Sequence, residues 1–292
     1  MNRIDVQFDV AGDACAAWKY EPETTDSDDA PIVVMAHGLS GTRRDRLGAF
    51  AERFAQRNCF ALVFDHRGFG DSGGTPDLFE PGRQLEDWRH AIAFARRRAG
   101  VDAKRVVTFG SSTGGGNALA AAVHDGEVAA VISQVPFLDI RQAYRAKPRV
   151  RARMMLAASR GEYMPAVGQP DEAAFINAPE SEAGWRHVVA IGEDSHWRNR
   201  VSSRWLLGRR FNLGRFAARL TCPWLVCVGA ADQVARPDAA VAAAKRAPRG
   251  ELRLYPGVDH FDIYDGPQHE AVVADQLEFL ERHVLTSAAW HS

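Results

Sequence analysis

The sequence predicts an α/β fold: a mostly parallel central sheet with helices on both faces and a helical insertion. Three observations predict it. From Pro31 onward, short apolar runs alternate with stretches of helical periodicity. The runs PIVVMAHG, FALVFDHRG, RVVTFGSS, VAAVISQV, WLVCVGAAD and ELRLYPGVDH are β-rich, and each closes on glycine or a polar residue. Strands that are apolar on both faces, alternating with helices, belong to a parallel sheet covered on both sides. Finally, 292 residues with 46% hydrophobic content can bury a large core.

Taken in order, two opening strands, about 3 to 8 and 14 to 20, form a hairpin, and the acidic stretch EPETTDSDDAP separates it from the main body as a solvated loop. The stretch GRQLEDWRHAIAFARRRAG carries Leu85, Trp88, Ile92 and Ala95 at helical spacing and stops at Gly100. Residues 139–219 break the alternation. They contain no good strand and begin with the basic, methionine-containing segment RQAYRAKPRVRARMM. We read them as a helical cap inserted into a core formed by residues 1–138 and 220–292. The insertion holds fifteen basic and eight acidic side chains. That excess is either a solvated helix face or a surface that selects anionic substrates or carriers.

The whole chain is nearly neutral, with 36 basic and 37 acidic residues. No overall field draws it to nucleic acid or to an anionic membrane, so a small molecule is the expected partner. The N-terminal MNRIDVQFDV lacks an apolar h-region, and no later run reaches the length of a membrane span. A cytoplasmic protein is expected, with a homodimer left open. Cys15, Cys59, Cys222 and Cys227 are scattered in apolar contexts without CxxC spacing, which suits reduced thiols and not bridges or metal ligands. Neither a metal nor another cofactor is called for.

The strongest chemical signal is RVVTFGSSTGGGNALAAA: an apolar strand, a glycine-rich turn, then an alanine-rich helix. It fits G-x-S-x-G with Ser112 central. A nucleophilic serine in this motif sits on a strained strand-to-helix turn, where Gly110 and Gly114 must be small to let the chain pass. The helix N-terminus then presents N–H groups and a positive dipole end to a developing oxyanion. Ser111 is the rival nucleophile, but the glycines are not centred on it. A serine hydroxyl needs an adjacent imidazole oriented by a carboxylate. His260, in GVDHFDIYD after the last strand, is the candidate base, and it must be neutral to take the serine proton. Asp232, ending WLVCVGAAD, is the candidate acid, with Asp139 after VAAVISQV as the second. Asp259 and Asp262 flank His260 but would have to bend back onto their own neighbour. Thr113 and Leu39 are the expected backbone donors of an oxyanion hole. His37, Asp65 and Arg67 read as residues that order turns. From the cap, Met155, within Met154-Met155-Leu156, and Trp197 are expected to face the substrate as adaptable or aromatic walls.

These residues together resemble the α/β-hydrolase superfamily, from MAHGLSG at 35 through DHRGFGDSGG and GSSTGG to VGAADQVARP and GVDH near 260. The segments HGLSGTRRD, FDHRGFGDSGGTP and GRQLEDWRHAIAFAR, with His196-Trp197-Arg198-Asn199, are similar to a group near dienelactone hydrolases that includes bacterial esterases and fungal polyketide transferases. The resemblance implies the α/β-hydrolase fold, a Ser-His-Asp triad and acyl chemistry. Serine at the nucleophile position sets the chain apart from relatives that use a carboxylate or a cysteine there. Hydrolysis of small carboxylic esters or thioesters through an acyl-enzyme is the leading expectation. Transfer of an acyl or polyketide group to an alcohol is the alternative, and a noncatalytic binding protein on the same fold is a third reading.

Overall fold

The computed structural model describes residues 2–22, 29–98, 100–140, 146–208 and 211–286. The strands are β1 (Asn2–Val10), β2 (Asp13–Glu21), β3 (Ala30–Ala36), β4 (Phe60–Phe64), β5 (Val101–Ser111), β6 (Ala130–Gln134), β7 (Tyr163–Met164), β8 (Val201–Ser202), β9 (Trp224–Gly229) and β10 (Gly250–Tyr255). The α-helices are α1 (Leu47–Ala55), α2 (Pro81–Arg96), α3 (Thr113–Asp125), α4 (Pro148–Arg160), α5 (Ser181–Ala190), α6 (Asp238–Arg246) and α7 (Gly266–Leu280).

Eight strands form one sheet in the order β1-β2-β4-β3-β5-β6-β9-β10. All pairs from β4 to β10 are parallel, and the two pairs made by β2, with β1 and β4, are antiparallel. Every residue of β3, β4, β6 and β9 is buried. Each fully buried Val, Leu or Ile there contributes about 1.5–3 kcal/mol relative to exposure, which makes this block the rigid part of the molecule. Phe50, Phe54, Leu277 and Phe279, from α1 and α7, pack on one face; Trp88, Ile92, Leu119 and Ala243, from α2, α3 and α6, pack on the other. The chain therefore has the α/β-hydrolase architecture: a mostly parallel central sheet flanked by helices. No described helix is long and apolar enough to cross a membrane.

Two local features go beyond the sequence reading. The opening hairpin is joined to the body through β2–β4 pairing, from Ala17 opposite Phe64 to Tyr20 opposite Ala61. Residues 23–28 of the acidic stretch lie outside the described residues. On α2, Leu85 is half-buried while Gln84 and Asp87 are buried, because polar partners rather than apolar packing hold that end of the helix.

The segment between β6 and β9 carries α4, α5 and the antiparallel pair β7–β8. Two-residue strands are too short to leave a period in the sequence. Only Val150 and Ala158 of α4 are buried, whereas Trp185 and Val188 of α5 join the core. Residues 141–145, which open the basic run, lie outside the described residues.

Candidate active site

Strand β5 ends at Ser111, and α3 begins at Thr113; Ser112 between them has φ 57° and ψ −125°. A non-glycine residue in this region is strained by about 1–3 kcal/mol and persists only where its surroundings over-determine it. Here they do. Ser112 N–H donates to the Gln134 carbonyl at 3.0 Å, and its own carbonyl accepts from Gly115 at 3.0 Å and Phe137 at 2.9 Å. The flanking glycines are required by space. A Cβ on Gly110 would lie 2.0 Å from the Gly114 carbonyl oxygen, and one on Gly114 would lie 2.7 Å from the carbonyl oxygens of both Ala36 and His37.

Ser111 and Ser112 point to different environments. Ser111 is fully buried and shares a hydrogen bond with the Tyr264 hydroxyl. It also accepts from Gln134 Nε2 at 3.2 Å, and Gln134 in turn accepts from Gln276 Nε2 at 3.0 Å. Ser112 is half-buried and lines two cavities.

His260 and Asp232 follow β10 and β9, adjacent strands at one edge of the sheet. His260 Nδ1 lies 2.7 Å from Asp232 Oδ2, both side chains being almost fully buried. Oδ1 of the same carboxylate accepts from the Ala235 N–H at 2.7 Å, which locks it in place. His260 lines a small cavity with Ser112, His37, Leu39, Trp185 and Tyr264. The second acid candidate, Asp139, is buried at a β-bridge to Asn212. Asp259 and Asp262 cap the histidine loop instead: Asp259 Oδ1 accepts from Phe261 and Asp262 N–H groups at 2.7 and 3.0 Å, and Asp262 Oδ2 accepts from Asp259 N–H at 2.8 Å.

Leu39 has φ 38°, and its N–H donates to Thr113 Oγ1. Gln84 Nε2 donates to the Leu39 carbonyl at 3.4 Å, and Asn117 Nδ2 donates to Gln84 Oε1 at 2.8 Å. The Leu39 peptide is thus held at both ends. Thr113 opens α3, where first-turn N–H groups lack intrahelical partners. Sequence reasoning missed Gln84, Asn117 and Tyr264. The available signal was polar residues on an otherwise apolar helix face, and an aromatic residue one turn beyond His260.

His37 is buried against Asp45, whose carbonyl is hydrogen-bonded to Nε2, and its ring stacks on Tyr264 at 5.6 Å. Burial holds its pKa below the ordinary histidine value, so it stays neutral in place. Asp65 is paired with Arg43 and accepts from the N–H groups of Arg43 and Asp71 at 2.6 and 3.1 Å. Arg67 Nε binds Asp87 at 2.5 Å. The four cysteines are free, and burial pushes the thiols of Cys15, Cys59 and Cys227 up to about 12 and that of Cys222 up to about 11. None is a thiolate at neutral pH.

A larger cavity of about 620 Å³ also opens at Ser112. Its walls include Phe137, Met154, Met155, Phe175, Trp205 and Val234. Of the two substrate-facing residues expected from the insertion, Met155 lines it and Trp197 does not. The Trp197 indole N–H donates to Ser40 Oγ at 3.0 Å, and its ring meets Trp185 edge-on at 5.7 Å. An indole in a half-buried position takes a polar partner, and this one found it in the loop behind the site.

The family model described as serine aminopeptidase S33 matches residues 27–265. The quorum-quenching protein AidA of Acinetobacter baumannii is 40% identical over 294 residues, covering 96% of this chain and 95% of that protein. The polyketide transferase af380 of Aspergillus fumigatus is 28% identical over 302 residues, covering 97% and 99%. Among solved structures, the α/β hydrolase GrgF from Penicillium sp. sh18 superposes with a TM-score of 0.80 at 22% identity, covering 98% of this chain and all of that one.

Proposed function

Given that the chain belongs to the serine aminopeptidase S33 family of α/β-hydrolases, we propose that it cleaves carboxylic esters or thioesters of small molecules through Ser112, His260 and Asp232. The observation that carries this reading is the strained Ser112 sharing a cavity with an imidazole whose Nδ1 is 2.7 Å from a buried carboxylate.

In this mechanism Ser112 Oγ attacks the substrate carbonyl while its proton passes to His260 Nε2. Asp232 holds the imidazole in the tautomer that leaves Nε2 free to accept and stabilises the imidazolium that forms. The oxyanion is received by the N–H groups of Thr113 and Leu39. Since Leu39 N–H is already bound to Thr113 Oγ1, the oxyanion takes that bond over from the hydroxyl. Collapse expels an alcohol or thiol, which leaves with the proton from His260. Water then repeats the sequence on the acyl-enzyme, and the acid departs. Residues 139–219 serve as the cap in this reading, with Met155 in the wall of the acyl pocket and Trp197 supporting the Ser40 loop.

The sign of the lining charge separates ester cleavage from aminopeptidase action. A peptide N-terminus carries an ammonium group, which needs a carboxylate to hold it. Among the described residues, Arg151 is the one Asp, Glu, Lys or Arg side chain lining the large cavity. Acyl transfer is the second reading: it differs only in an alcohol replacing water as the nucleophile that His260 deprotonates, and relatives of this chain include a polyketide transferase.

A fluorophosphonate probe should label Ser112, and Ser112→Ala should lose both the label and p-nitrophenyl ester turnover, by a factor of about 10⁴ or more. Retention of most activity in that variant would overturn the assignment. Adding a primary alcohol to the assay tests the second reading, with new ester as the product that signals transfer.

A further inference from the structure

Resting on the ester-cleaving reading of Ser112, we propose that the acyl group this site accepts is apolar along its length and carries a carboxylate at its far end, bound by Arg151. Two lines of geometry lead there. The first concerns which side of Ser112 holds which half of the substrate. The leaving group must lie beside His260, because His260 gives it a proton. His260 lines the small cavity and does not line the large one. The large cavity, which shares Leu39, Ser112 and Ile176 with the small one, therefore receives the acyl half.

The second line concerns what that cavity is built to hold. Its walls are apolar and aromatic, and among the described residues Asn177 and Arg151 are the non-aromatic polar side chains that line it away from Ser112 and Thr113. Arg151 lies one helical turn before Met154 and Met155 on α4, so all three share a face. Its guanidinium has no ion pair or hydrogen bond among the described residues. Neighbouring arginines elsewhere in the molecule are engaged: Arg43 with Asp65 and Asp71, Arg96 with Asp125, Arg198 with Asp77. On α4 and at its N-cap, Arg149, Arg153 and Lys147 add positive charge, and Arg160 lies 3.6 Å from Glu162. An unpaired, planar five-donor cation exposed in the lining of an apolar cavity matches a carboxylate bidentately.

The test compares mono-p-nitrophenyl esters of adipic and suberic acid with p-nitrophenyl hexanoate and octanoate, and with an ester ending in a trimethylammonium group. The native chain should prefer the carboxylate-tailed ester over the neutral one of equal length, and rising salt should shrink that preference. Arg151→Gln should lower the ratio of kcat/KM for anionic over neutral ester about tenfold, Arg151→Lys should lower it less, and Arg151→Glu should shift the preference toward the trimethylammonium ester. A ratio that stays the same in all three variants, or a native chain that favours the neutral ester, would overturn the inference. Those results stand apart from failure of the underlying reading, which would show as no turnover of any ester and no fluorophosphonate label on Ser112.

Discussion

Two histidine–aspartate pairs stand at the carboxyl ends of strands in this molecule, and their difference shows what sets the proposed catalytic pair apart from a pair that only holds a turn. His260 meets Asp232 at 2.7 Å after β10 and β9, and His66 meets Asp87 at 3.0 Å after β4. In both the imidazole is bound through Nδ1, and in both the side chains are buried. What differs is the far side of each ring. His260 opens on a cavity that contains Ser112. His66 packs edge-on against Phe64 at 5.0 Å, and its Nε2 is buried without a hydrogen-bond partner among the described residues. The carboxylates differ too. Asp87 is shared with Arg67, whose Nε lies 2.5 Å from it and whose backbone N–H lies 3.2 Å away, so it anchors the DHRG turn to α2.

The largest expected effect breaks the pairs apart by function. Asp232→Asn should lower kcat for a p-nitrophenyl ester by about four orders of magnitude, because an asparagine favours the wrong imidazole tautomer while preserving shape. Asp87→Asn should change kcat by less than about tenfold, since no reacting atom faces His66. Equal losses from the two variants in steady-state assays would erase the distinction drawn here.

Stability should answer in the opposite order. Asp87→Asn leaves Arg67 with a buried, weakened partner and should lower the free energy of unfolding by about 3 kcal/mol, read from urea denaturation. Asp232→Asn should leave the urea midpoint closer to that of the native chain. An Asp87→Asn midpoint unchanged from native would mean that the second pair is not structural.

The smallest expected effect sharpens the comparison with two further imidazoles. Burial lowers the pKa of His37 and of His269. A group that is harder to protonate folded than unfolded binds more protons in the unfolded state across the window between its two pKa values. Its contribution to stability is therefore complete above the unfolded value of about 6.5 and declines as pH falls below it. Thermal scans should show Tm decreasing from pH 7 toward pH 5, and His37→Gln should flatten part of that slope. A Tm independent of pH over that range would contradict the direction of both shifts.

Much of this site could be read along the chain because its decisive signals are local. Runs apolar on both faces specify buried parallel strands. G-x-S-x-G carries its own reason in the steric demand that Gly110 and Gly114 meet within a single turn. The hydroxyl proposed as nucleophile was legible for the same reason, since the glycines centre on Ser112.

Only the tertiary structure decided between candidates that are alike in their local setting. Asp232 and Asp139 both follow apolar strands, and nothing within either segment says which carboxylate reaches an imidazole 28 or 121 residues away; the order of β6, β9 and β10 across the sheet does. The loss of Trp197 from the cavity wall, the burial of Gln84 and Asp87 on α2, and the sealing of His66 depend likewise on what packs opposite. Periodicity and turn sterics are properties of neighbouring residues and so are written in sequence. The partner of a side chain is set by strands and helices meeting from distant parts of the chain, and that becomes determinate only when the sheet closes around the site.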